Sequence, residues 1–255
     1  MPLSQPKPKV TAVIAGGGRG LRFGDPNGKQ LASVLGRPVI AWAAEAMAAA
    51  ELIDEVVVVC DPSRVSEYAD AVLDAYEADK PITFVAGGDS RQQSVEAGVL
   101  EADDADIIAV HDGARPLVDP ETVDAAIRLL INSHGTAGVV VGHPAIDTLK
   151  VVSDSSVVST PDRSSLWVAQ TPQIFYRDRL LFALESAQTE GFIGTDDASL
   201  VERTGERVLM YEGPRENIKV TVPTDVATVS SHLANRAATG TAELSNPALD
   251  ESDER

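Results

Sequence analysis

An α/β architecture is the fold class this sequence predicts, on three observations. Short apolar, β-branched runs recur along its first half, each followed by a stretch of helical length. Polar, glycine-rich segments fall at the ends of those runs, where open α/β sheets bind their ligands. Between about 143 and 168 the pattern changes to two short runs around a polar turn, which reads as a β-hairpin. Together they predict a Rossmann-like, mostly parallel sheet with helices on both faces, plus a protruding hairpin arm.

The elements follow in order. The first strand begins at Val10 and breaks into glycines at 16, 17, 18, 20, 24 and 28. Pro38 suits a first helical turn and opens the alanine-dense run Val39 to Ala50. Val56–Cys60 is a second strand, and Asp61-Pro62-Ser63 starts a helix to about Tyr76. Ile82–Val85, the turn Gly87–Ser90 and a helix from Arg91 to Leu100 form the third unit. Ile107–Val110 ends in His111-Asp112-Gly113-Ala114-Arg115-Pro116, and a helix from Pro120 to Asn132 leads to Gly138–Val141. In the arm, Ile146–Val152 and Val157–Thr160 flank Ser153–Ser156. Further on come an extended Gln170–Phe175, a helix from about Asp178 to Gln188, and a helix start with Thr195 as N-cap. Val208–Tyr211 and Asn217–Val220 read as strands, and Pro223 opens a last helix to about Leu233.

Composition bounds the function. The chain has 255 residues and a net charge of -18, so a nucleic-acid partner, which needs a basic face, is not expected. No segment reaches the length of a membrane span. A single cysteine, Cys60, reads as a strand-end core residue and fits a reducing cytoplasm. Residues 8–236 form one expected domain, and 237–255, poor in apolar residues, an expected disordered acidic tail.

The segments Gly16–Lys29, Gly87–Ser94 and His111–Arg115 all follow strands and so should face one crevice. Glycine lets backbone N–H groups crowd around an anion. The first loop is not a Walker loop, because Gln30 follows Gly28-Lys29 and Phe23 stands where the first glycine belongs. Nor is it a dinucleotide fingerprint, since Leu21 and Phe23 occupy the third glycine position in its two possible registers. Arg19, Arg22, Lys29, Arg91, Arg115, Arg163 and Lys219 sit in or beside expected loops and strand ends. For any one of them the ordinary reading is a solvated surface cation; seven in an acidic chain suggest an anionic substrate. Asp112 could hold Mg²⁺ against phosphate oxygens or simply cap a turn, and His111 reads as structural. The chemistry suggested is nucleotidyl transfer, in which positioned cations and a metal stabilise charge at the α-phosphorus.

Seven motifs in order carry a resemblance over Val10 to about Leu233: Gly16–Gln30, Gly87–Val95, Val110–Pro116, Asp147–Lys150, Gln170–Gln173, Thr195–Glu202 and Asn217–Thr221. The chain resembles the 2-C-methyl-D-erythritol 4-phosphate cytidylyltransferase family of the non-mevalonate isoprenoid pathway. The resemblance implies transfer of CMP from CTP to the methylerythritol phosphate, with release of pyrophosphate and with Mg²⁺. It assigns the triphosphate to Arg22 and Lys29, and the α-phosphate to Lys219. Cytidine falls to Gly16, Gly17, Gly18, Gly88, Asp89, Arg91 and Ser94; Asp112, beside Gly113, falls near metal and ribose. The sugar phosphate falls to Arg115, Thr148, Arg163 and Thr195, with Arg163 also in the catalytic set. It further implies a homodimer through the hairpin arm, Thr148 and Arg163 serving the partner's site. Gly16-Gly17-Gly18, Phe23 and Gly28 depart from the family's usual Ala-Ala-Gly, Met and Pro. The glycine pair resembles the sister ribitol-5-phosphate cytidylyltransferases, which stay open as an alternative, as does a non-catalytic nucleotide-binding relative.

Overall fold

The computed structural model describes residues 7–18, 23 and 28–244. Arg19, Arg22 and the expected tail beyond 244 lie outside the described residues. Seven strands form the main sheet: β1 (Val10–Ala15), β4 (Glu55–Cys60), β5 (Ile82–Ala86), β6 (Ile107–Asp112), β7 (Gly138–Pro144), β10 (Trp167–Tyr176) and β11 (Val208–Glu212). Their spatial order is β11-β7-β10-β6-β1-β4-β5. All run parallel except β10, which is antiparallel to both β6 and β7. Two small hairpins stand apart: β2 (Ser33–Val34) with β3 (Arg37–Pro38), and β8 (Val151–Ser153) with β9 (Ser156–Ser159).

Both faces of the sheet are buried along β1, β4, β6 and most of β7, as their apolar runs require, while the edge strands β5 and β11 are only partly covered. Along β1, Ala12 and Ile14 point to one face and Val13 to the other. The first face packs on α1 (Val39–Ala49), α2 (Val65–Leu73) and α4 (Pro120–Asn132), through Ile40, Met47, Tyr68, Ile127 and Leu130. The second packs on α3 (Arg91–Glu101), α5 (Arg177–Glu190) and α6 (Asp197–Arg203), through Val95, Val99, Leu180, Leu184 and Val201. Burying each such side chain contributes roughly 1.5–3 kcal/mol. A third cluster joins Phe23, Leu117 and Val220 to Val229 and Leu233 of α7 (Pro223–Leu244). It joins Phe23 of the first glycine segment, and Ile218 and Val220 beside Lys219, to one helix.

Several expectations are corrected. α2 begins at Val65, because Asp61 accepts from the amide and hydroxyl of Ser63 and holds the preceding residues in a turn. The N-cap of α6 is Asp196, not Thr195: its carboxylate accepts from the amide of Ser199 at 3.0 Å, and Ser199 Oγ accepts from the amide of Asp196. Gln170–Phe175 is the inner part of β10, where the register shifts between Ala169 and Gln173. Asn217–Val220 is not a strand; side chains and one backbone bond to Ala114 hold it in place of a ladder. The last helix runs to Leu244, into the stretch read as tail. A low apolar content does not oppose helix in an Ala-rich run without proline.

The arm is the hairpin the sequence predicts, in shorter form. Asp154 and Ser155 form its two-residue turn with φ of 49° and 63°, the pair of positive values that matches strand twist. No helix among the described residues is long and apolar enough to cross a membrane.

Candidate active site at the strand ends

The carboxyl ends of β1, β4, β5 and β6 open into a cavity of about 820 Å³. Gly17, Gly18, Lys29 and Gln30 line one side, Gly88, Asp89, Arg91 and Ser94 another, and Asp112, Ala114 and Lys219 a third. The convergence expected of the three loops is thus observed. Gly16 and Gly113 lie just behind this lining, both against the side chain of Ile40. A Cβ on Gly16 would come within 2.8 Å of the Val59 carbonyl oxygen, so the chain needs glycine there. Gly28 has φ +77°, a value that glycine adopts readily and proline cannot.

The second loop is held by its own hydrogen bonds. Ser90 caps α3 and forms a reciprocal capping box with Gln93. The Gly88 amide donates to Ser94 Oγ at 3.2 Å, fixing the turn.

Asp112 closes β6 and gathers the cations. Lys219 Nζ stands 2.6 Å from its Oδ2 and Arg91 Nε 3.3 Å from its Oδ1. Arg115 Nε lies 3.8 Å from Oδ2. Burial opposes the carboxylate's charge, but Arg91, then Lys219 and Arg115, overcome it and hold the group well below the usual range. The Asp112 amide donates to Thr171 Oγ1 at 3.0 Å. The Thr171 hydroxyl in turn meets His111 Nδ1 at 3.0 Å, while His111 Nε2 meets the Arg115 carbonyl at 3.0 Å. A carbonyl only accepts, so Nε2 carries the proton and Nδ1 accepts from Thr171. Burial pushes the His111 pKa down to about 4, keeping the ring neutral.

Lys219 is delivered by a loop held without a ladder. Arg115 donates to the Asn217 carbonyl at 2.6 Å, and Asn217 Nδ2 to the Thr171 carbonyl at 2.8 Å. The Val220 amide reaches the Ala114 carbonyl at 2.8 Å. Sequence reasoning missed Thr171's hydroxyl, Gln30 and Asp197 as parts of this assembly. Gln170–Gln173 and Thr195–Glu202 were singled out as motifs, but only tertiary contact reveals what they touch.

Besides Gly16 and Gly113, four expected residues among those described do not line the cavity of this chain: Arg115, largely buried and turned to the Asn217 carbonyl, and Thr148, Arg163 and Thr195. Thr148 and Arg163 are exposed in the arm, where Arg163 donates to the Ile146 carbonyl. Thr195 is exposed just ahead of α6. Cys60 is buried, with its thiol pushed up to about 12, and reads as core.

A Rossmann-like sheet whose strand ends carry two glycine loops, an aspartate and converging cations defines a nucleotidyltransferase. The family model of 2-C-methyl-D-erythritol 4-phosphate cytidylyltransferase matches residues 10–235. The chain belongs to that family. It is 40% identical over 226 residues to the 2-C-methyl-D-erythritol 4-phosphate cytidylyltransferase of Caldanaerobacter subterraneus subsp. tengcongensis, covering 88% of this chain and 98% of the relative. The enzyme of the same name from Synechococcus sp. (strain WH7803) is 40% identical over 88% of this chain and 99% of its own. The crystal structure of 4-diphosphocytidyl-2C-methyl-D-erythritol synthase from Anaerococcus prevotii DSM 20548 superposes with a TM-score of 0.77 at 25% identity, over 89% and 97% of the two chains.

Proposed function

We propose that this chain transfers CMP from CTP to 2-C-methyl-D-erythritol 4-phosphate and releases pyrophosphate, within non-mevalonate isoprenoid biosynthesis. The observation that carries the reading is the meeting of Lys29, Arg91, Asp112 and Lys219 with both glycine loops in one cavity. A phosphate oxygen of the polyol phosphate attacks the α-phosphorus of CTP. A new P–O bond forms, and pyrophosphate leaves with the electron pair of the bond that breaks. The nucleophile is already anionic and needs little general-base help. The chain's task is to bring two anions together and to stabilise charge on phosphorus.

The Gly88–Ser94 turn and the Gly16–Gly18 backbone hold the cytidine. Lys29, with Arg22 as the resemblance assigns it, holds the triphosphate. Lys219 moves from Asp112 towards the α-phosphate, and Arg115, which the resemblance assigns to the sugar phosphate, braces the Asn217 carbonyl behind the cavity lining. Among the described residues no cluster of three metal-ligating side chains exists. A Mg²⁺ ion nonetheless fits, because such ions take one or two carboxylates plus substrate phosphates, and Asp112 offers one carboxylate at the cavity floor. When bound, the ion neutralises charge that builds on the phosphate oxygens.

The test is turnover. Incubation with CTP, Mg²⁺ and methylerythritol phosphate is expected to release pyrophosphate. Release only with ribitol 5-phosphate would assign the chain to the sister activity, and CTP binding without release would make it a non-catalytic relative.

The arm supports a homodimer. Val151, Val152, Val157 and Val158 are all exposed, the last by 64%, and because side chains alternate along a strand they leave apolar side chains on both faces of the hairpin. A second copy of the same hairpin covers these side chains by two-fold symmetry, and Thr148 and Arg163 then reach the partner's site. Sedimentation at micromolar concentration is expected to give the mass of two chains, and Val158→Asp that of one. A monomeric wild type would end the dimer reading. The buried, unreactive Cys60 suits a cytoplasmic setting.

A further inference from the structure

Three aspartates are buried among the described residues: Asp112, Asp124 and Asp197. Asp112 sits at the cavity floor. Asp124 accepts from the amides of Glu51 and Leu52 and so ties the start of the β4 segment to α4. Asp197 is the deepest, at 1% exposure, and lies outside the cavity. Its Oδ1 takes a hydrogen bond from Arg91 Nη1 at 2.9 Å and its Oδ2 one from Nη2 at 2.7 Å.

That fork uses both terminal nitrogens of the guanidinium and leaves Nε for Asp112. A planar group held at all three nitrogens has no remaining rotational freedom. Arg91 therefore stands fixed in the cavity wall, with part of its surface open to a ligand. Asp197 itself cannot drift. It lies in the first turn of α6, whose start is braced from β10: Gln173 Nε2 donates to Asp196 at 2.8 Å, and Gln173 Oε1 accepts from the Ala198 amide at 2.9 Å.

We propose that Asp197 is a positioning residue that sets the affinity for CTP by fixing Arg91 in the cavity wall. The inference rests on the reading that this cavity takes CTP. Burying an ion pair is a poor way to gain stability alone, because desolvating both charges offsets their attraction. Holding an arginine ready for an anion accounts for the arrangement. It also fastens the segment that follows Thr195, the one residue there that the resemblance assigns to the sugar phosphate, to the nucleotide wall.

The experiment measures CTP binding by calorimetry without the polyol phosphate, beside thermal midpoints. Four proteins are compared: wild type, Asp197→Asn, Arg91→Gln and the double variant. Asp197→Asn is expected to weaken CTP about tenfold. Arg91→Gln strands a buried charge, so its midpoint falls; the double variant recovers the midpoint but keeps the weak CTP binding of Arg91→Gln. A merely structural pair would recover both. The proposal is overturned if folded Asp197→Asn binds CTP as the wild type does, or if the double variant regains wild-type affinity. Should Asp197→Asn fail to fold, Arg91→Gln and the double variant decide. A wild type that binds no CTP overturns the functional reading itself, a result distinct from an active wild type whose Asp197 variant is unchanged.

Discussion

Lys219→Ala is expected to lower turnover with CTP and methylerythritol phosphate by about 10²–10³-fold, the usual loss when one group aimed at transition-state charge is removed. The fold should survive. Lys219 is 38% exposed, and its partner Asp112 keeps Arg91 and Arg115 after the change. A thermal midpoint within a few degrees of wild type, together with lost turnover, fits a group acting on substrate. The segment that carries Lys219 is held through Arg115, Asn217 and the Val220 amide, none of which involves the ammonium. Near-normal turnover in this variant would remove Lys219 from the mechanism.

Stability should fall as the pH is lowered from about 6.5 to about 4, and His111 should be the principal cause. In the unfolded chain the imidazole takes up a proton near 6.5. In the folded chain burial delays that to about 4. Between the two values the unfolded state binds more protons, so folding free energy is lost as pH falls, to a total of about 3 kcal/mol. Above 6.5 the ring is neutral in both states and contributes no slope. Urea midpoints taken every half unit of pH would show the decline, and His111→Gln should flatten it. Asp112 acts lower on the scale: its depressed pKa lends stability that is complete above its ordinary value and is lost only in stronger acid. An unchanged slope in His111→Gln would show that other groups carry the effect.

The strand-then-helix rhythm was legible because β1, β4 and β6 are buried on both faces and each loop after them is polar. The same rhythm hid β10. Gln170-Thr171-Pro172-Gln173 interrupt its apolar residues, so only an extended segment was legible, and nothing local records that it runs against its neighbours. The segment around Lys219 misled in the opposite way, since Asn217–Val220 has a strand's alternation but is held by Arg115 and a buried Asn217 side chain. The glycines and cations of the cavity were visible as local chemistry. Asp197 and Thr171 were not, because their roles exist only through Arg91 and His111, which the fold brings near from far along the chain. At Thr195, an N-cap residue type stood one place before Asp196, the residue that caps.

The reversed strand joins two regions that the chain order keeps apart. Trp167 pairs with Pro144 at the foot of the arm, and a few residues on, where the ladder loses register, Thr171 turns its hydroxyl to the Asp112 amide. One continuous strand therefore runs from the apolar hairpin to the carboxylate that receives Lys219. The backbone that leaves the arm is thus the same strand that holds the cavity floor in place.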